Sequence, residues 1–123
     1  MSRAFLFMQL DYSKLGGLVP AVIQDAATRE VLMLGFMNEE AFEKTLASGF
    51  ATFFSRTRNQ LWMKGETSGH RLRVREVLVD CDNDSLVVLA EQEGAATCHE
   101  GYRTCFFRRL ENGDPVIVLE KTS

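Results

Sequence analysis

The chain has 123 residues and a formal net charge of −3, and 46% of its residues are hydrophobic and 25% charged. This composition is typical of one globular domain with a sizeable core, and it excludes a disordered chain. The acidic balance argues against a general nucleic-acid binder, and every apolar stretch is well short of the ~18 residues of a membrane span. We therefore expect a single domain over residues 1–123, with neither nucleic acid nor a membrane as partner.

Three cysteines cannot all pair within one chain, which argues against a disulfide framework. Residues 1–8 contain one basic residue and a short apolar run but no clear cleavage site, so we expect no signal peptide. A cytoplasmic location follows, because reducing compartments keep thiols free. Cys81, Cys98 and Cys105 are then buried fillers, reactive thiols or metal ligands.

Short apolar runs bounded by turn residues predict a chain made mostly of strands. Asn112-Gly113 favours a hairpin between the last two of them. The strands are predicted at residues 18–24, 30–37, 51–55, 60–64, 72–80, 85–93, 104–110 and 115–120.

One helix stands out, at about residues 38–48. Asn38 is a suitable N-cap, the acidic residues after it suit the first turn, and Gly49 supplies the stop. Residues 94–103 receive no assignment. The fold class predicted is a β-rich α+β domain with this one clear helix.

An acidic run follows the fifth predicted strand. If the chain stays extended there, Asp80, Asp82 and Asp84 point to one face, where only a cation would relieve their repulsion. Hard divalent ions such as Mg²⁺ or Ca²⁺ prefer such oxygen ligands. The alternative is a solvated turn at a hairpin tip.

The cysteine spacing does not match the CxxC knuckle of a structural zinc finger. Three thiols would leave one coordination position open, as in a catalytic zinc site. In an extended chain Cys81 would point away from the aspartates, while Cys98 and Cys105 flank a glycine-containing loop. His99 could be a fourth ligand, a base or a surface residue. The alternative is three unrelated buried thiols.

The loop at residues 64–70 combines two glycines, two hydroxyl side chains, a lysine and a carboxylate. Backbone amides and hydroxyl groups of this kind can hold phosphate. Arg56, Arg58 and Lys64 flank Trp62, whose indole could stack on a base. The alternative is a charged hairpin with a core tryptophan.

Four segments in this order, 55–58, 61–70, 79–84 and 97–106, closely resemble phosphoribosyl-AMP cyclohydrolase, the third-step enzyme of histidine biosynthesis. The resemblance runs from near Gly17 to about Arg108. It implies a zinc- and magnesium-dependent homodimeric hydrolase that opens the N1–C6 bond of 1-(5-phosphoribosyl)-AMP with a zinc-activated water. Such a domain can be fused to a downstream pyrophosphohydrolase domain, which we do not expect here.

The resemblance assigns the metal ligands, and the chemistry of the reaction suggests the base and the substrate contacts. Zinc ligands drawn from both subunits would place the metal sites at the dimer interface. His99 is the first candidate for the base and His70 the second. The zinc ligands are Cys81, Cys98 and Cys105; the magnesium ligands are Asp80, Asp82 and Asp84; the substrate contacts are Arg56, Trp62, Lys64, Glu66, Thr67, Ser68 and Arg103.

Two other functional classes fit the thiols. A zinc-stabilised module could bind a nucleotide without converting it, and it would hold zinc without ring opening. A thiol redox sensor would oxidise Cys98 and Cys105 readily and hold no zinc.

Overall fold

A computed structural model describes residues 9–123; residues 1–8, where we expected no signal peptide, lie outside the described residues. The described part confirms a β-rich α+β fold with one helix. No helix within it is long and apolar enough to cross a bilayer. The elements are β1 (Val19–Asp25), β2 (Val31–Met37), α1 (Glu39–Ser48), β3 (Thr52–Ser55), β4 (Gln60–Met63), β5 (Leu72–Val79), β6 (Leu86–Gln92), β7 (Arg108–Glu111) and β8 (Asp114–Ile117).

The central sheet has the strand order β2-β1-β6-β5. Strand β1 pairs parallel with β6, and the two outer pairs are antiparallel. Alternate residues of β1, namely Val19, Ala21 and Ile23, are fully buried and form one side of the core. The β3–β4 and β7–β8 hairpins form two further small sheets.

The connections before and after β6 lie at opposite ends of the central sheet. Because β5 and β6 are antiparallel, the turn that joins them lies at one end of the sheet and the loop that follows β6 lies at the other. That distal loop contacts the start of β2, where the Cys105 amide donates to the carbonyl of Leu32 at 2.7 Å. Strand β6 has seven residues, so roughly 20 Å separates the two ends.

The predicted helix is confirmed, together with both of its ends. The Asn38 side chain accepts a hydrogen bond from the Ala41 amide at 2.8 Å, and Gly49 ends the helix in the left-handed region at φ 82°. Thr45 is buried, and its hydroxyl donates to the Thr52 carbonyl at 3.1 Å, which ties the helix to β3.

The predicted strand at residues 104–110 is wrong over its first half. Here the chain is held by single hydrogen bonds rather than by a ladder: the Thr104 hydroxyl donates to the Val31 carbonyl at 2.7 Å. Strand β7 begins only at Arg108, and β8 ends at Ile117 rather than at residue 120. The other predicted strands are confirmed, with ends that differ by one residue.

Candidate functional site

A cleft of about 540 Å³ opens beside the β3–β4 hairpin, and we call it the hydroxyl cleft. Its volume is in the range of small-molecule sites. Four hydroxyl side chains, one guanidinium, one carboxylate and one imidazole line it. The lining residues are Ser55, Thr57, Arg58, Trp62, Met63, Gly65, Glu66, Thr67, Ser68 and His99.

Two tight turns shape this cleft. At the tip of the β3–β4 hairpin, Asn59 takes a left-handed φ of 54°, and the Ser55 hydroxyl accepts from the Arg58 amide at 3.2 Å. The following loop is closed by the Gly69 amide, which donates to the Gly65 carbonyl at 2.7 Å. Gly65 has a φ of 82°, and a Cβ there would strike the backbone of the neighbouring chain segment, so this turn requires glycine.

Trp62 connects the cleft to the core. Its ring packs on Phe53, with ring centroids 5.2 Å apart and planes tilted by 38°. Phe53 is fully buried, whereas Trp62 is only half-buried. The indole is therefore fixed on its core side and remains available to the cleft, where it offers an aromatic surface for a ring-shaped ligand.

A second cleft, which we call the thiol cleft, has a volume of about 420 Å³. Cys98 and Cys105 both line it. Burial, together with the adjacent Cys98, raises the pKa of Cys105 to about 11, although part of its side chain is exposed. The lining residues are Cys98, His99, Glu100, Cys105, Phe107, Arg108 and Ile117.

A tight loop holds Cys98 in position. The Cys98 amide donates to the Tyr102 carbonyl at 3.0 Å, and the Gly101 amide donates back to the Cys98 carbonyl at 2.9 Å. His99 follows directly and is exposed. His99 lines both the hydroxyl cleft and the thiol cleft, so an imidazole stands where the two clefts meet.

Cys81 lies elsewhere. It is exposed in the turn between β5 and β6, at the opposite end of the sheet from the thiol cleft. Within residues 9–123, the three cysteines do not gather into one group of potential metal ligands.

The expectation that the acidic run continues a strand is wrong, because β5 ends at Val79. The run forms a turn, in which an Asp80 carboxylate oxygen accepts from the amides of Asp84 at 3.0 Å and Ser85 at 3.2 Å. The turn nevertheless brings the three carboxylates together, since one oxygen from each of Asp80, Asp82 and Asp84 lies within 4.8 Å of the others. We call residues 80–84 the acidic turn.

Lys14 binds to the acidic turn. Its ammonium lies 2.8 Å from the Asp82 carboxylate and 2.9 Å from that of Asp84. The hydrogen bonds that this ammonium donates to both aspartates raise the pKa of Lys14 above its ordinary value. Two of the three carboxylates therefore already bind a positive charge, which is the behaviour expected of a site for a hard cation.

Of the residues predicted to contact substrate, Trp62, Glu66, Thr67 and Ser68 come together in the hydroxyl cleft. Lys64 lies near the thiol cleft, where its charge acts to lower the pKa of Cys105.

The structure does not bring the remaining predicted residues into either cleft. Arg56 stacks on the Phe36 ring, 4.4 Å from its centroid, and lines a separate recess. Arg103 forms an ion pair with Glu30 at 2.7 Å. The His70 ring is packed so closely against Gly94 that a Cβ at Gly94 would strike it. The roles of Arg56, Arg103 and His70 stay predictions.

The predicted substrate contacts omit three residues of the hydroxyl cleft, namely Ser55, Thr57 and Arg58, although the sequence had indicated Arg58 as a neighbour of Trp62. The β3–β4 hairpin, which the sequence did predict, could have pointed to these residues. Four residues connect β3 to β4, and Asn59 among them is left-handed. Ser55 and Thr57, on either side of Arg56, line the hydroxyl cleft, whereas Arg56 lines a separate recess. The acidic turn, in contrast, was marked by its residue types alone.

Comparison with known proteins gives a consistent result. The family model for phosphoribosyl-AMP cyclohydrolase matches residues 33–107. A phosphoribosyl-AMP cyclohydrolase of Desulforapulum autotrophicum is 55% identical over 114 residues, covering 93% of this chain and 91% of its own. One of Solibacter usitatus is 59% identical over 107 residues, covering 87% and 85%. Residues 33–107 include the whole lining of the hydroxyl cleft, the acidic turn, and the lining of the thiol cleft except Arg108 and Ile117.

Proposed function

Because the chain belongs to the phosphoribosyl-AMP cyclohydrolase family, and so is an enzyme of histidine biosynthesis, we propose that it hydrolyses the N1–C6 bond of 1-(5-phosphoribosyl)-AMP. The observation that carries this proposal is the position of His99, between a nucleotide-sized cleft and a pair of thiols. We further propose that the enzyme works in the cytoplasm, where its thiols stay reduced.

The hydroxyl cleft suits this substrate, which has an adenine ring and two phosphates. Trp62 would stack on the ring, and Glu66 would face the positive charge that substitution at N1 creates. Arg58 can bind a phosphate through two parallel hydrogen bonds, with Thr67 and Ser68 as further donors. Arg56, Lys64 and Arg103 remain further candidates for the second phosphate.

His99 is proposed as the group that moves the proton. Water adds to C6, and a base must take its proton and return it to N1 as the N1–C6 bond breaks. A histidine can do both near neutral pH because its ordinary pKa is about 6.5. His99 is exposed to both clefts. His70 is the second candidate and would require the loop at Gly94 to move.

The donor set of the thiol cleft fits zinc. The two thiols that line this cleft are soft ligands of the type that zinc prefers. We propose that Cys98 and Cys105 of one chain and Cys81 of a second chain hold the ion, in a homodimer with metal sites at its interface. When bound, zinc would supply an activated water near neutral pH.

The donor set of the acidic turn fits a hard cation. We propose that Asp80, Asp82 and Asp84 bind Mg²⁺, because their oxygens converge within 4.8 Å and those of Asp82 and Asp84 already bind the Lys14 ammonium. In a dimer that brings Cys81 to the thiol cleft, the adjacent aspartates arrive beside the hydroxyl cleft as well. Magnesium would then help to neutralise substrate phosphate.

The test is turnover of 1-(5-phosphoribosyl)-AMP by the purified protein, with metal content measured on the same sample. We expect product that has gained one water, and loss of this reaction in a Cys98→Ser variant. Zinc without turnover would replace the proposal with a binding module. Thiols that oxidise readily in a protein without zinc would favour a redox sensor.

A further inference from the structure

The segment that follows β8 lies across the loop that carries Cys98 and His99. This segment, residues 118–123, has no regular secondary structure and is exposed, and we call it the strap. We call residues 94–103, between β6 and β7, the site loop. Exposed segments outside helices and strands are normally the most mobile parts of a domain, so the bonds that tie the strap to the site loop are informative.

Thr122 connects the strap to both ends of the site loop. Its hydroxyl donates to the Ala95 carbonyl at 2.6 Å, and its amide donates to the Gly101 carbonyl at 2.8 Å. The same hydroxyl lies 3.4 Å from the Gly101 carbonyl oxygen, so one side chain spans the two carbonyls. The Ser123 amide also donates to the Gly101 carbonyl, at 3.0 Å.

The two carbonyls held by the strap bracket the proposed catalytic residues. Cys98 and His99 lie between Ala95 and Gly101 in the chain. Gly101 belongs to the turn that orients Cys98, because its amide donates to the Cys98 carbonyl at 2.9 Å while the Cys98 amide donates to the Tyr102 carbonyl at 3.0 Å. A strap that fixes Gly101 therefore fixes this turn.

The strap also fits closely against the site loop. Gly101 has a left-handed φ of 95°, and a Cβ there would lie 2.7 Å from the Ser123 carbonyl oxygen, so a larger residue would push the strap away. The Lys121 ammonium lies 5.9 Å from the centroid of the Tyr102 ring. That ring stacks on Phe107, which lines the thiol cleft, with centroids 3.7 Å apart.

The rest of the domain holds the site loop mainly at its two ends. The Thr97 hydroxyl donates to the Gln92 side chain at 2.8 Å, and Arg103 pairs with Glu30 at 2.7 Å. Within residues 9–123, every backbone–backbone hydrogen bond that reaches residues 98–101 from outside the site loop comes from the strap. The strap is therefore the external support of this stretch of backbone.

We propose that Thr122 is a positioning residue: through its hydroxyl and its amide, the strap fixes the site loop so that Cys98 and His99 keep their places beside the two clefts. This inference rests on the proposed function, which assigns Cys98 to zinc and His99 to proton transfer. Both roles depend on exact placement, because a metal ligand and a proton-transfer group act only over short distances.

The test measures amide hydrogen exchange in the purified protein at single amides. Thr122→Val removes the hydroxyl and keeps the shape of the side chain, and we expect the Cys98 and Gly101 amides to exchange about tenfold faster. Thr122→Ser keeps the hydroxyl and should match the parent. The matched control is Thr28→Val in the β1–β2 turn, where the hydroxyl accepts from the Glu30 amide at 3.1 Å. Parent-like exchange in Thr122→Val, or equal acceleration throughout the central sheet, would overturn the proposal.

Zinc retention is a second readout besides activity. Transfer of zinc from the purified protein to an excess of a competing chelator should be about tenfold faster in Thr122→Val. It should be faster still after deletion of residues 122–123, which removes three hydrogen bonds to the site loop. Zinc transfer at the parent rate in Thr122→Val would overturn the positioning role. Faster exchange of the site loop in a protein without zinc or turnover would reject the proposed function alone.

Discussion

Cys81 precedes β6 and Cys98 follows it, so they lie beyond opposite ends of a seven-residue strand that is roughly 20 Å long. Strand pairing fixes this distance, because β6 is an inner strand of the sheet between β1 and β5. Within one chain, Cys81 is therefore held away from the two other proposed zinc ligands. Two chains related by a two-fold axis would contain all three ligands twice, which gives two complete sites.

Replacing Cys105 by Ser should remove zinc and turnover together. A hydroxyl is a poor ligand for zinc, and two remaining thiols form a weak site. Zinc content by elemental analysis and turnover on the same preparation check this, with circular dichroism to confirm folding. A zinc-free Cys105→Ser protein with full activity would contradict the assignment.

Asp82→Asn should raise the Mg²⁺ concentration needed for half-maximal activity by about tenfold and leave zinc content unchanged, since oxygen and sulfur sites select different ions. Asp114→Asn, at an exposed position of β8, is the matched control and should behave like the parent. Loss of zinc with no change in the Mg²⁺ response would show that Asp82 serves the other metal.

Lys14→Met should have the opposite effect on magnesium. The Lys14 ammonium competes with a cation for the carboxylates of Asp82 and Asp84, so its removal should lower the half-saturating Mg²⁺ concentration several-fold. Titration with Mg²⁺ at fixed ionic strength measures this. Weaker magnesium binding in Lys14→Met would mean that the lysine supports the site rather than competing for it.

Arg58→Gln should raise KM by about tenfold or more and change kcat little, because a phosphate contact remote from C6 is made equally in the ground state and the transition state. Arg75→Gln removes the same charge from β5, where Arg75 pairs with Glu91 at 3.7 Å, and serves as control. Equal KM values for Arg58→Gln and the parent would remove Arg58 from the substrate site.

His99→Asn should lower kcat by about a hundredfold or more and remove one limb of the pH–rate profile, as expected for loss of a proton-transfer group. His70→Asn separates the two candidates. If His70→Asn loses that limb of the profile and His99→Asn keeps it, the base is His70.

Asp25 should make stability depend on pH. Its carboxylate accepts from the Thr28 amide and the Ala27 amide, which lowers its pKa against the opposing effect of burial. A lowered folded pKa gives stability that is present above the unfolded value of about 3.9 and is lost as the pH falls through the folded value. Asp25→Ala should cost about 1 kcal/mol at neutral pH and progressively less below pH 4, as measured by urea unfolding.

The helix and most strands could be predicted because their signals are local. Asn38 and Gly49 mark the helix ends through their own backbone preferences, and alternating apolar residues mark β1. Residues 104–107 were wrongly predicted as a strand because they contain an apolar run of residues that favour strands. In the structure, this segment is held by single hydrogen bonds to the carbonyls of Val31 and Leu32, which are distant in sequence.

The sequence predicts which residues belong to the site, but it does not predict where in the fold they lie. The sequence marks Asp80, Asp82 and Asp84 as a carboxylate cluster, but it does not show that a turn, and not an extended strand, brings them together. The parallel pairing of β1 with β6 lies beyond local signals as well, because it depends on a crossover of about 60 residues. The separation of Cys81 from the other thiols follows from that topology.

The central claim, an active site completed by two chains, is tested most directly by co-expressing Cys81→Ser and Cys98→Ser subunits, each inactive alone. In a mixed dimer one site receives both defects and the other receives none. Random pairing makes half of the dimers mixed, so about a quarter of the parent activity, and of its zinc, should return. Proven mixed dimers without any recovered activity would place all three cysteines in one subunit and contradict the account.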